Sequence, residues 1–358
     1  MMNARWIAVL MLGAVLANAS GEPKEPGTAG QQAGSAGEAS PSTQPSGAPG
    51  REPSATPRRE HTLDLGNGVT LKLVEIPAGK FLMGSKFSAE EVARRYGGEA
   101  GWYQNEHPRH EVTISKPFYM GVTPVTVDQF AAFVKDSGYR TDAEKFGWSF
   151  GVEIKNGEAN FPRVDGCSWR NPGFDQKGDH PVVHVSWNDA GAFCEWLSKK
   201  SGKTVALPTE AQWEYACRAG TTTAFPWGDD PDDGKGWANA ADQSLKKKLP
   251  KRECFSWDDG FLFTSPVGHF KANAFGLYDM IGNVFEWCQD RFGDYDKGPV
   301  TDPTGVDTGG LRVLRGGCWI IHPMYCRSAG RSLRLRRVPG HRLIDVGFRV
   351  VAVLAGVD

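Results

Sequence analysis

Apolar and polar side chains alternate from Thr70 to Ile76, which predicts a β-strand. Pro77-Ala78-Gly79 is a turn signal, and Lys80 to Gly84 reads as the returning strand. His110 to Ile114 alternates in the same way. The period then becomes helical. Thr126 and Gln129 have capping-box spacing, and Val127, Phe130, Ala131, Phe133 and Val134 fall on one face. Ser186 with Asp189 opens a second helix, with Ala190, Phe193, Cys194 and Leu197 inward and Gly202 closing it. Thr209 with Gln212 opens a third, running to Ala219 before Gly220. Beyond Gly220 neither period persists; Gly, Pro, Asp and Trp dominate and apolar runs are short. Few helices, short strands and a long irregular half predict an α+β fold of low regularity. Loops that long inside one domain need ties, such as metal ions or disulfides.

The N-terminal stretch follows neither pattern. Arg5, the apolar run Trp6 to Leu16 and Ala17-Asn18-Ala19 form a secretory signal peptide over residues 1–19. The run is too short for a permanent membrane span. Residues 20–61 are rich in Pro, Gly and Ser and bury too little to offset ordering entropy, so they read as a disordered linker. Residues 62–358 form one domain that holds every cysteine. The expected location is secreted, periplasmic or cell-surface. Lys plus Arg number 41 against 42 for Asp plus Glu, a balance that argues against a nucleic-acid partner. Seven cysteines suit an exported chain, and the odd count leaves at least one without an internal partner.

Six ordered segments carry a family resemblance: Pro77–Ser85, Glu106–Val112, His180–Trp187, Leu207–Arg218, Phe275–Trp287, and Arg315-Gly316-Gly317 through Gly347-Phe348-Arg349. Each alone is weak, but the ordered set is highly specific. It resembles the formylglycine-generating enzymes, or sulfatase-modifying factors, over nearly the whole domain. The resemblance implies an irregular, loop-rich variant of the C-type lectin fold. Members of this family include maturation enzymes, iron-dependent sulfoxide synthases and non-enzymatic binding proteins, so the fold does not settle function.

The family's oxidases convert a peptidyl cysteine to formylglycine with copper held by two cysteines, soft ligands for a soft ion. Cys326 stands at the second of those positions, and Ile321 stands at the first. Isoleucine offers no lone pair, so the family's copper site cannot form as such. Cys318, in place of a serine, is the alternative second sulfur. The resemblance also implies disulfide partners: Cys217 with Cys326, and Cys194 with Cys288.

The same resemblance implies calcium. Asp279, Gly282, Val284 and Glu286 map to one ligand set, and Asn239, Ala240, Asp259 and Phe261 to a second, in the oxygen-rich pattern calcium prefers. Calcium there would pin loops, with no catalytic role. His107 and His110 have transition-metal spacing, but the strand explains His110 structurally.

Between Trp319 and Val346 a constant-looking frame alternates with Ile320, Ile321, His322, Tyr325, Gly330, Ser332, Leu333, Leu335, Val338, Gly340, His341, Leu343, Ile344 and Asp345. Each of these is reachable from an Asn codon by changing adenines alone. That resembles the variable proteins of diversity-generating retroelements; ordinary drift on a loop gives the same pattern. The expected ligand patch is Trp319, Ile320, Ile321, His322, Tyr325, Leu333, Leu335, His341, Leu343 and Ile344. The arginines from Arg331 to Arg342 would meet acidic ligands, the loop Asp229 to Asp233, or buried carbonyls. Two functions follow: an exported module binding an unknown protein or surface ligand, or an oxidoreductase of the formylglycine-generating type using Cys326 and Cys318.

Overall fold

The computed structural model describes residues 59–332 and 338–353. The signal peptide, nearly all of the linker, Leu333 and Leu335 lie outside the described residues. The strands are β1 (Glu60–Gly66), β2 (Val69–Ile76), β3 (Gly79–Met83), β4 (His110–Ile114), β5 (Phe118–Gly121), β6 (Trp148–Phe150), β7 (Glu153–Lys155), β8 (Glu158–Asn160), β9 (Arg163–Asp165), β10 (Thr204–Ala206), β11 (Phe285–Arg291), β12 (Val300–Thr301), β13 (Arg312–Arg315), β14 (Val346–Gly347) and β15 (Val351–Val353). The helices are α1 (Ala89–Tyr96), α2 (Val127–Ser137), α3 (Asp142–Phe146), α4 (Trp187–Ser201), α5 (Glu210–Arg218) and α6 (Gln243–Lys246).

The largest sheet has the order β1-β2-β5-β15-β10, so strands from both ends of the domain lie in one layer. The phenyl rings of α2 and α4 pack with Phe348 beside it: Phe193 lies 6.1 Å from Phe130 and 5.4 Å from Phe348. All three expected capping boxes form, and Thr141 with Glu144 adds a fourth on α3. Each satisfies otherwise orphaned amide groups at a helix start.

Two expectations need correction. β3 does not return along β2; it pairs antiparallel with β4, and Pro77-Ala78 carries the chain from one sheet into another. The linker also ends earlier than expected, because Glu60 and His61 pair with Val74 and Leu73.

The ties across the irregular half are also of another kind. Cys167, Cys194, Cys217, Cys254, Cys288 and Cys326 are free thiols. Cys217 faces the Ser328 hydroxyl at 3.7 Å and Cys326 packs beside Gly317, and no disulfide joins the two. Cys194 on α4 and Cys288 on β11 are each buried as free thiols. Buried guanidinium–carboxylate pairs do the holding instead. Arg349 grips Glu286 through two bonds of 2.7 Å, Arg327 grips Glu106 at 2.9 and 2.6 Å, and Arg331 grips Glu210 at 2.7 and 2.9 Å. Arg315 and Arg218 share Glu214. Each bidentate pair joins segments far apart in sequence, as a disulfide would. The acidic loop takes none of these arginines: Asp229 pairs with Lys86.

Candidate functional site

The Arg315-to-Cys326 segment turns sharply after β13. Gly316 and Gly317 have φ of +95° and +78°, a region that favours glycine. A Cβ on Gly317 would lie 2.4 Å from the Cys326 sulfur. The chain can therefore fold back on itself only with glycine there. Cys326 is fully buried, and burial pushes its thiol up to about 12, although the Cys318 backbone N–H opposes the rise. Cys318, also fully buried, donates to the Asp345 carboxylate at 3.4 Å. Ile321 is 8 % exposed and brings hydrocarbon to the copper position. A metal-binding sulfur must be a thiolate. An isoleucine at one copper position and an enclosed, protonated thiol at the other do not fit the family's two-thiolate copper site.

The expected ligand patch is mostly not a surface. Trp319, Ile320, Ile321, Leu343 and Ile344 are all buried. Trp319 stacks edge-on to Phe263 at 5.0 Å, and its amide N–H reaches the Asn283 carbonyl. Leu343 bridges to Phe150 across a short parallel pairing, and its carbonyl accepts the His184 amide. Segments flanked by such backbone pairing place their apolar side chains in the core. His322, Tyr325 and His341 remain half-buried, with His322 against Glu253. Arg342 bonds the carbonyls of Trp148 and Gly340.

The two oxygen sets differ. In the first, Glu286 spends both carboxylate oxygens on Arg349 and one also on the Trp213 indole N–H. Asp279 accepts the Gly268 amide at 2.7 Å, and burial pushes its carboxyl up to about 6. This set therefore presents one carboxylate rather than two to a cation. The second set fits a hard cation better. Asn239 Oδ1 is buried without a hydrogen-bond partner, and Asp259 is pushed up to about 8 by burial and by Asp242 beside it. An orphaned acceptor and two crowded carboxylates are what a bound cation relieves. Among the described residues, no cluster of three His, Cys, Asp or Glu side chains stands ready for a metal, so carbonyl oxygens would have to complete either site. His110 Nδ1 bonds the Pro108 carbonyl, and its ring packs on Tyr295, which suits its structural reading.

Two connecting residues escaped the sequence reading. Asn283, left-handed at φ +58°, bonds Ser265 through its side chain, takes the Asn239 carbonyl with its amide N–H and offers its own carbonyl to Trp319. It thus couples the second oxygen set to the cysteine segment. Its place inside Gly282-Asn283-Val284 was the available signal. Asp242 caps α6 through Ser244 and Leu245, an Asp-x-Ser spacing that reads as a cap rather than as a neighbour for Asp259.

Comparison with known proteins agrees with this geometry. The model of the sulfatase-modifying factor enzyme 1-like domain matches residues 67–354. The formylglycine-generating enzyme of Streptomyces coelicolor is 37% identical over 296 residues, covering 77% of this chain and 87% of that protein. A protein of Bos taurus called inactive C-alpha-formylglycine-generating enzyme 2 is 36% identical over 311 residues, covering 80% of this chain and 90% of that protein. The solved structure of PvdO from Pseudomonas aeruginosa superposes with a TM-score of 0.60 at 30% identity, covering 82% of this chain and 98% of that one. With its six motifs, its loop-rich α+β architecture and these relatives, the chain belongs to the sulfatase-modifying factor family, on the formylglycine-generating-enzyme variant of the C-type lectin fold.

Proposed function

We propose that this chain is an exported binding module of the family that does not carry out its copper-dependent oxidation. One observation carries the reading: of the family's two copper positions, one holds Ile321, which offers no sulfur, and the other holds Cys326, an enclosed thiol pushed up to about 12 by burial. Relatives at near-equal identity include both a formylglycine-generating enzyme and a protein called its inactive counterpart, so kinship alone favours neither outcome. Calcium at Asn239, Ala240, Asp259 and Phe261 would clamp the loop around α6 to the Asn283 hub. Among the described residues no helix is long and apolar enough to cross a membrane. Export rests on the sequence of residues 1–19.

The second reading is an oxidase with a displaced sulfur pair. It draws on the hydrogen bond from the Cys318 backbone to the Cys326 thiol, which puts these two residues side by side. Titration with copper(I) against a competing chelator separates the two. The binding reading expects no one-to-one complex; tight binding that disappears in Cys326→Ser contradicts it.

A further inference from the structure

A cavity of about 110 Å³ lies where the facing ends of β3 and β4 meet the first turn of α5 and the segment that follows β11. None of its lining residues belongs to the cysteine segment or to either oxygen set. Its wall is divided. Met83, Ala211, Pro303 and Val306 supply hydrocarbon, and His110, Asp290, Asp294 and Asp296 supply acceptors. The loop after Pro303 comes this close because residue 305 is glycine, at φ +80°: a Cβ there would lie 2.8 Å from the Asp290 Cβ.

The acceptors point to a cation. Asp294 and Asp296 are exposed at the rim and form no ion pair among the described residues. Asp290, deeper in, spends Oδ2 on the Glu210 N–H at 2.8 Å. Burial and the Glu210 charge push its carboxyl up to about 7, an excess of negative charge that Arg331 does not cancel. His110, 7% exposed, adds an acceptor of another kind. Its Nδ1 lies 3.0 Å from the Pro108 carbonyl oxygen, which can only accept, so in the neutral ring Nδ1 carries the proton. Nε2 is then a bare lone pair, with no hydrogen-bond partner among the described residues. Among the described residues no three His, Cys, Asp or Glu side chains are placed to hold a metal ion, so the cation that fits is organic. At about 30 Å³ for each water of the liquid, the cavity has room for about four heavy atoms. An ammonium on a straight carbon stem fits that space, with its stem along the hydrocarbon wall. We propose that this cavity binds a primary alkylammonium, its N–H groups donating to His110 Nε2, to Asp290 and to a rim aspartate, and its stem lying against Met83, Pro303 and Val306.

The inference goes beyond the binding reading and does not depend on the cysteine segment. The test titrates the full chain with n-butylamine hydrochloride, with 1-butanol as the uncharged match and butyrate as the opposite charge. NMR shifts of the Ala211 and Val306 amides give the local readout. Expected is saturable binding of butylammonium in the millimolar range, at least about tenfold tighter than butanol, with butyrate inert. Asp296→Lys places a competing ammonium at the exposed rim; it should weaken butylammonium by at least about tenfold and leave the melting temperature unchanged. His110→Phe removes the lone pair and should bring butylammonium down toward the butanol level; should that variant not fold, Asp296→Lys alone decides. A capped Gly-Lys-Gly peptide that binds tighter than butylammonium identifies a partner protein's lysine as the source; 1,4-diaminobutane that binds tighter identifies a free polyamine. Butylammonium that binds no better than butanol, that shifts amides elsewhere only, or that ignores Asp296→Lys overturns the proposal. A chain that binds both butylammonium here and copper(I) tightly loses the binding reading and keeps this inference.

Discussion

Cys326 should be almost inert in the folded protein. Burial moves its thiol from 9.0 up to about 12. At neutral pH that leaves about a thousandth of the thiolate of an ordinary cysteine, or about 4 kcal/mol against ionisation. The sulfur is also fully enclosed, so a reagent must wait for local opening. The assay is iodoacetamide alkylation across pH 6 to 10 with mass-spectrometric readout of each cysteine peptide, native against urea-unfolded. Native Cys326 should react at least about a thousandfold more slowly than the unfolded chain. A native rate within about tenfold of the unfolded one, or an inflection below pH 9, would refute the argument that this thiol is structural.

Three further outcomes follow from the same contacts. Removing one partner of the fully buried Arg349–Glu286 pair, as in Glu286→Gln or Arg349→Met, should cost about 3–5 kcal/mol in urea unfolding, with the double variant losing less than the sum; additive losses would show that the two groups do not act as a pair. Asp290 is pushed from 3.8 up to about 7 by burial and by Glu210, so the folded chain keeps that proton longer than the unfolded one and loses stability as pH rises across that window, by up to about 4 kcal/mol. Asp290→Asn should flatten the pH dependence between 4 and 7; an unchanged slope contradicts the assignment. Calcium at a hundredfold excess over its dissociation constant should stabilise the wild type by about 2.7 kcal/mol, and Asp259→Asn should abolish that increment; a melting temperature indifferent to chelator argues against the site.

The helices were legible because their starts are written in local chemistry. Thr126, Ser186 and Thr209 each satisfy amide groups within their own first turn, so no distant partner is needed to see them. α1 was not seen because half of its eight residues are charged, and its Val92 and Tyr96 reach the core only through tertiary packing. The pairing of β3 with β4 was hidden for a related reason: a Pro-Ala-Gly turn looks alike whether the next strand pairs back or joins another sheet.

The site divides along the same line. That Ile321 removes a sulfur is a statement about one residue, visible in sequence. Whether Ile320, Leu343 and Ile344 face solvent depends on backbone pairings with Phe150 and His184, far away in the chain. A codon pattern is blind to that, and Trp319, Ile320, Ile321, Leu343 and Ile344 of the patch it suggested lie in the core. The ties were misread as disulfides because cysteines are few and conspicuous. Arginines are common, and only the fold reveals which carboxylate each one meets.

The most direct test incubates the purified full chain with copper(I), oxygen and a cysteine peptide of the kind a formylglycine-generating enzyme oxidises, and reads aldehyde by mass spectrometry. The account predicts no aldehyde beyond a copper-only control, with the peptide recovered as thiol or simple disulfide. Aldehyde that forms with turnover and vanishes in Cys326→Ser would contradict it.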